Sequence, residues 1–169
     1  MPTSRYLPIY LNDHLAGATV GTQLARRTAG SNRDHPSGPV LRELATEIAE
    51  DRQALEDVMQ RLGVARDRLK SAVAWVGEKA GRLKLNGELL RYSPLSRLVE
   101  LEGLALGVTG KLALWRALER VRAAEPRLAE VDLAALIARA ESQRTRIEAL
   151  RLAAVDEALL ANVGATATG

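Results

Sequence analysis

Cysteine is absent from the chain. Its absence excludes a disulfide framework, a thiolate nucleophile and any zinc site built on cysteine. Histidine is scarce as well, with only His14 and His35 present, which excludes a histidine-rich transition-metal site. The sequence also lacks a nucleophile elbow, a Walker loop and a dinucleotide fingerprint. We therefore predict no catalytic residues and no cofactor.

Phenylalanine is missing too, and aromatic residues make up only 3% of the 169 residues. The core must therefore be built from Leu, Ala, Val and Ile, and Leu and Ala are among the strongest helix formers. Hydrophobic residues make up 47% of the chain and charged residues 27%, which is the balance of a soluble globular domain with a real core. Composition alone thus favours an all-α protein.

Long hydrophobic runs are also lacking: no stretch of about 20 apolar residues is uninterrupted, so we predict no transmembrane helix. The first residues show no basic region followed by a long apolar run, so we expect a cytoplasmic protein without a signal peptide. The net charge is +3, and even the most basic stretch, residues 66–91, mixes both signs. We therefore expect neither nucleic acid nor membrane as a partner.

Apolar residues spaced three and four apart predict four long helices, over residues 7–28, 39–62, 94–123 and 132–160. Their ends carry matching signals. Gly63 suits a position just past a helix end, and Ser93 followed by Pro94 suits a helix start. Asp132 can cap the last helix. Between the second and third of these helices, residues 65–85 predict an additional helical segment that crosses from one hairpin to the other.

Short loops within each pair of helices favour two antiparallel hairpins in a single domain covering residues 1–160, with a disordered tail at 161–169. Glycines four apart recur at 17–21, 77–81 and 103–107. They indicate helix faces where another backbone can approach closely. Such a face serves packing or lines a pocket, and the sequence does not decide between the two.

Several polar side chains fall on faces that should be buried. Asp51 fills the gap in the apolar stripe of the second helix, and Glu102 fills a gap in the third, while Glu100 falls nearer an edge. A buried carboxylate must be paired, protonated or bound to a metal. The predicted polar cluster in the core, a candidate binding site, comprises His14, Glu47, Asp51, Glu102, Glu141 and Arg144.

Two helical hairpins joined by a long crossover, with carboxylates aimed at the middle, resemble the ferritin-like superfamily. Its di-iron members carry a glutamate on the first and third helices and Glu-x-x-His on the second and fourth. Here the second helix reads Glu47-x-x-Glu50 and the fourth reads Glu141-x-x-Arg144. The resemblance therefore implies a degenerate member, a ferritin-like four-helix bundle that lacks both motif histidines.

The replacement at Arg144 leads to a specific hypothesis. A guanidinium is always charged and can hold a carboxylate with two hydrogen bonds, so Arg144 would supply the positive charge of a metal and pair with Glu102, Glu47 or Asp51. The function expected first is non-enzymatic, through protein contacts with a second copy or another partner, with Trp75 or Trp115 in the interface. The alternatives are a carboxylate-bridged Fe or Mn protein and a small-ligand-binding bundle.

Overall fold

The computed structural model describes residues 5–67 and 92–160 of the chain. Within these residues the regular structure is entirely helical, which confirms the all-α prediction. The four long helices are α1 (Leu7–Ser31), α2 (Gly38–Arg61), α3 (Pro94–Val121) and α4 (Leu133–Val155). Short turns at Arg122–Ala124 and Pro126–Leu128 precede α4, and a π-helical turn at Asp156–Leu160 follows it.

The helix ends follow the signals in the sequence. The Ser93 side chain accepts from the backbone N–H of Ser96, and Ser96 reciprocates, so α3 begins with a capping box. Asp132 accepts from the N–H of Ala135 at 3.0 Å and caps α4. Gly63 follows α2 with a φ of 67°, a conformation that glycine adopts at little cost.

Neighbouring helices run antiparallel. Helix α1 packs against α2 and α3, and α3 packs against α4. The end of α1 meets the start of α3, since Arg27 lies 2.9 Å from Glu100. The α2 and α4 helices meet through long polar side chains, such as Arg139 to Asp51 at 2.7 Å.

The link between α2 and α3 joins opposite ends of the molecule. Arg61, the last residue of α2, pairs with Glu130 just before α4 at 3.0 Å. Arg97, in the first turn of α3, pairs with Glu157 just after α4. Residues 68–91 lie outside the described part of the chain, and they include Trp75, the glycines at 77–81 and nearly all of the predicted crossover helix. The predicted tail at 161–169 lies outside it as well.

Within the described part of the chain, the buried apolar side chains form two cores, one toward each end of the helices. The Trp115 core, named for its largest member, also holds Leu11, Leu55 and Leu133. The Leu101 core holds Leu44, Leu98 and Ile147 among others. Trp115 is fully buried, so the prediction that it supplies an exposed interface is wrong: its indole fills the core.

No described helix combines the length and the apolar character needed to cross a membrane.

Candidate functional site

Asp51 lies between the two cores. It occupies the inward stripe of α2 between Ile48 of the Leu101 core and Leu55 of the Trp115 core. Its side chain is only 1% exposed. The apolar spacing of α2 therefore predicts the burial of Asp51 correctly. Asp51 lies three residues after Ile48 and four before Leu55, so it shares their buried helix face.

Three side chains from two helices bind this carboxylate, and two of them are positively charged. The Lys111 ammonium of α3 donates to Oδ2 of Asp51. The Arg139 guanidinium of α4 donates to Oδ1, with its Nε at 2.7 Å and its Nη2 at 2.5 Å. The Gln143 amide donates to Oδ2 at 2.9 Å through Nε2, while its Oε1 accepts from Lys111. Both oxygens of Asp51 are therefore occupied by strong donors.

The polar contacts continue along the α2–α4 interface. Glu47 accepts from Gln143 at 3.1 Å and from Arg146 at 2.5 Å. Glu50 pairs with Arg139 at 3.1 Å. We call this set the Asp51 cluster. It consists of Glu47, Glu50, Asp51, Lys111, Arg139, Gln143 and Arg146.

Lys111 is the centre of the Asp51 cluster. Burial lowers the pKa of the Lys111 ammonium, and the neighbouring Asp51 carboxylate opposes that change. The charges of the cluster compensate one another. The Asp51 carboxylate offsets the hydration that the Lys111 ammonium loses on burial, and Lys111 and Arg139 offset the hydration that the carboxylate loses. This arrangement fixes the side-chain positions at mid-helix and offers no oxygen of Asp51 to a further ligand.

The structure brings together only part of the predicted cluster. Glu47 and Asp51 lie in it. Glu141 pairs instead with Arg116 of α3 at 2.6 Å, where both side chains are largely exposed. His14 is half-buried on α1 beside the Tyr10 ring, with 4.5 Å between the ring centroids. Burial lowers the His14 pKa, against the opposing charge of Asp13.

Glu102 and Arg144 were placed in the core by the sequence, and both are exposed. Their placement in the core is therefore wrong, and among the described residues it is Lys111 and Arg139 that pair with Asp51. The physical reason is the rotation of each helix. Helix α3 buries the face of Leu101, and α4 turns Gln143 inward, one position before Arg144.

The residues missed by the sequence reasoning are Lys111, Arg139, Gln143 and Arg146. One signal could have found Gln143: it lies three residues after the buried Ala140 and four before the buried Ile147, a spacing that follows one helix face. Lys111 had a weaker signal, three residues after Val108 in an almost wholly apolar helix. The sequence pattern gave no signal for Arg139 and Arg146. They lie on the flank of α4, and a long arginine side chain can reach inward from several positions on a helix.

Glu100, which the sequence placed near an edge, is the buried carboxylate of α3, with a side chain 5% exposed. It pairs with Arg27 of α1 at 2.9 Å and accepts from the Tyr92 hydroxyl at 2.9 Å. The same hydroxyl accepts from Asn32 at 2.6 Å, and Asn32 accepts from Arg97 at 2.6 Å. We call this set the Glu100 cluster. It holds the end of α1 to the start of α3.

Ionisation of Tyr92 would place a second negative charge beside Glu100. The pKa of Tyr92 is raised from 10.0 to about 12, mainly by burial. The hydrogen bond from Asn32 lowers this pKa, and the negative charge of Glu100 raises it further. A group whose pKa is raised by folding contributes stability that is present below its unfolded pKa and is lost as pH rises through its folded pKa. The free energy of unfolding should therefore fall between pH 10.0 and about 12.

We expect Tyr92→Phe to remove the fall in the free energy of unfolding that Tyr92 causes at alkaline pH. That fall corresponds to the release of about one proton on unfolding. Urea unfolding of both proteins across that pH range measures the slope, and the phenolate absorbance difference between them assigns it to Tyr92. Identical slopes for the two proteins would contradict a pKa of Tyr92 that is raised by its burial in the Glu100 cluster.

A third buried carboxylate, Glu56 of α2, pairs with Arg52 at 2.7 Å and Arg66 at 3.2 Å. His35 is largely shielded and lies 3.4 Å from Glu157. Within residues 5–67 and 92–160, no group of three or more His, Asp or Glu side chains is arranged to hold a metal ion.

Two open grooves lie along α2. One, of about 430 Å³, runs between α2 and the start of α4 and is bounded by Val58, Leu136 and Arg139. The other, of about 570 Å³, lies between α1 and α2 beside Arg26 and Ala45. Among the described residues, no glycine lines either groove.

Comparison with known protein families, with curated proteins and with solved structures finds no match to this chain.

Proposed function

We propose that the chain is a non-enzymatic helical bundle of ferritin-like type that acts through protein contacts, including contacts with a second copy of itself. In this proposal the basic side chains of the Asp51 cluster occupy the position that a metal would take in an active relative. The helix order supports the ferritin-like part of the proposal. Each of α1, α2, α3 and α4 runs antiparallel to its neighbours, and the α2–α3 link joins opposite ends of α4.

The observation that carries the proposal is the position of the Lys111 ammonium. It lies at mid-helix, between the two cores, bound by Asp51 and Gln143. Carboxylate-bridged bundles place their metals in the bundle core, between facing helices. A fixed cation at that level repels a divalent metal and already uses the oxygens that would bind it. The same residues thus support a stabilising role better than a redox role.

A role in protein contacts is supported by apolar side chains at the surface. Among the described residues, large hydrophobic side chains are exposed just before α1, on α1, α3 and α4, and in the turn that follows α4. These residues are Tyr6, Ile9, Leu95, Leu106, Val121, Leu152, Leu159 and Leu160.

Two measurements on the purified full chain test the proposal. After incubation with Fe(II) or Mn(II) and removal of free metal, we expect well under one equivalent per chain. Binding of about two equivalents, as in di-metal carboxylate bundles, would overturn the proposal if Asp51→Asn abolished that binding. Sedimentation equilibrium should show a dimer or larger species at micromolar concentration. A chain that stays monomeric across the concentration range would remove the self-association.

A further inference from the structure

The link between α2 and α3 is held against both ends of α1. At the start of the link, the Asn12 side chain of α1 donates to the carbonyl of Ala65 at 3.1 Å and accepts from the backbone N–H of Asp67 at 2.7 Å. At its end, Asn32 just after α1 donates to the Tyr92 hydroxyl at 2.6 Å. The chain between these anchors therefore leaves one end of α1 and reaches the other.

The length of residues 68–91 suits a path along α1. The two anchoring asparagines are 20 residues apart, which corresponds to about 30 Å of helix. The apolar spacing in the sequence predicts a helix up to residue 85, and residues 68–85 would make about 27 Å of it. A helix that runs beside α1 in the same direction would thus join the two anchors, and residues 86–91, which begin with Asn-Gly, would form the turn toward α3.

The anchors also indicate which side of α1 this path covers. Asn12 shares a helix face with Thr19, and Thr19 accepts from Arg52 of α2 at 3.3 Å. Tyr92 instead donates to Glu100 of α3. The path therefore begins on the α2 side of α1 and ends on its α3 side, and the outward surface of α1 lies between them.

The outward surface of α1 and the adjoining surface of α3 are apolar and open. We call this surface the α1–α3 face, and it comprises Ile9, Gly17, Val20, Leu106 and Gly110. Ile9 is 49% exposed and Leu106 is 61% exposed. Among the described residues, no heavy atom beyond the helix's own backbone lies within 4 Å of a Cβ built at Gly17 or Gly110. Each glycine inside a helix costs about 1 kcal/mol relative to alanine, and close approach of another helix would offset that cost.

We propose that the α1–α3 face is the docking surface for residues 68–91 of the same chain, an inference that does not depend on the proposed function. These residues carry an apolar stripe with the alternating spacing of four and three that lets a helix cover such a surface. The stripe consists of Leu69, Val73, Val76, Ala80 and Leu83. Because both ends of the stretch are anchored on α1, its effective concentration at the face is about millimolar. A second copy at micromolar concentration competes poorly with it.

The first test uses the absence of cysteine from the chain. Val76 lies nine residues after Asp67 and Val20 lies eight after Asn12, so parallel helices bring the two valines together. We expect Val20→Cys with Val76→Cys to be linked within one chain by a short bis-maleimide. The matched control is Ser142→Cys with Val76→Cys, since Ser142 is exposed on α4, and it should link at least tenfold more slowly. Mass spectrometry identifies the linked peptides, and equal rates would overturn the proposal.

The second test measures whether the face is covered. In single-cysteine variants, Leu106→Cys should react with a maleimide at least tenfold more slowly than Ser142→Cys, at every protein concentration. Adding Val76→Asp should bring the two rates together, because a carboxylate then faces an apolar surface. Ser71→Asp, on the opposite side of the predicted helix, should leave the protection in place. Circular dichroism shows whether each variant keeps the fold.

The outcomes separate this inference from the proposed function. Protection of Leu106→Cys that increases with protein concentration would place a second copy on the face and overturn the docking of residues 68–91. Labelling of Leu106→Cys as fast as Ser142→Cys in the parent background would also overturn it. If Val76→Asp unfolds the chain, the cross-linking rates still decide. Neither result changes the self-association, which sedimentation equilibrium measures on its own.

Discussion

Lys111→Met is expected to lower the free energy of unfolding by about 3 kcal/mol, because it leaves Asp51 buried with less compensation. Breaking a buried ion pair by removing one partner commonly costs about 3–5 kcal/mol. The lower end applies here because Arg139 and Gln143 still donate to Asp51. Urea unfolding monitored by circular dichroism measures the loss, and Arg144→Met is the control, with an expected change within about 0.5 kcal/mol.

A double-mutant cycle identifies the source of that loss. Asp51→Asn should also be destabilising on its own, since the basic side chains around it lose their counter-charge. The combined Asp51→Asn and Lys111→Met variant should be more stable than the sum of the single changes predicts, by about 1–3 kcal/mol. Strict additivity of the two changes would contradict a direct pair between these residues.

The local signals in the sequence located the helices well. Ser93, Asp132 and Gly63 mark helix ends because each satisfies backbone groups that a helix leaves unpaired. These interactions span only a few residues, so they can be inferred without knowing the packing. The burial of Asp51 was predictable for a similar reason: the apolar stripe of α2 is narrow, and it fixes which side of that helix faces the core.

The same reasoning failed on α3 because that helix is apolar around most of its circumference. Two faces compete there, one through Leu101 and one through Leu106. The structure buries Leu101 and exposes Leu106. This rotation moves Glu100 inward and Glu102 outward. Composition cannot set this rotation, since it depends on the contacts of α3 with α1 and α4.

The partners of the buried acids were harder still to predict. Lys111 and Arg139 reach Asp51 from two different helices, across sequence separations that no periodicity connects. Arginine and lysine can extend from the flank of a helix to its interior, so a sequence position limits the location of the charged group only loosely. A spacing analysis can therefore predict that Asp51 needs a cation without identifying which side chain supplies it.

Glu100→Ala and Glu102→Ala together test the rotation of α3. We expect Glu100→Ala to reduce the free energy of unfolding by about 2–3 kcal/mol, because Tyr92 and Arg27 lose a buried acceptor and a void forms. We expect Glu102→Ala to change it by no more than about 0.5 kcal/mol, since Glu102 is exposed. The two sites differ by a rotation of about 200° around the helix axis, so the pair is sensitive to which face is buried.

Both variants should be measured by urea unfolding at one protein concentration, so that any dimer contributes equally. Burial of the competing Leu106 face would instead make Glu102→Ala the more damaging change. A larger loss for Glu102→Ala would therefore reverse the assignment of the buried face.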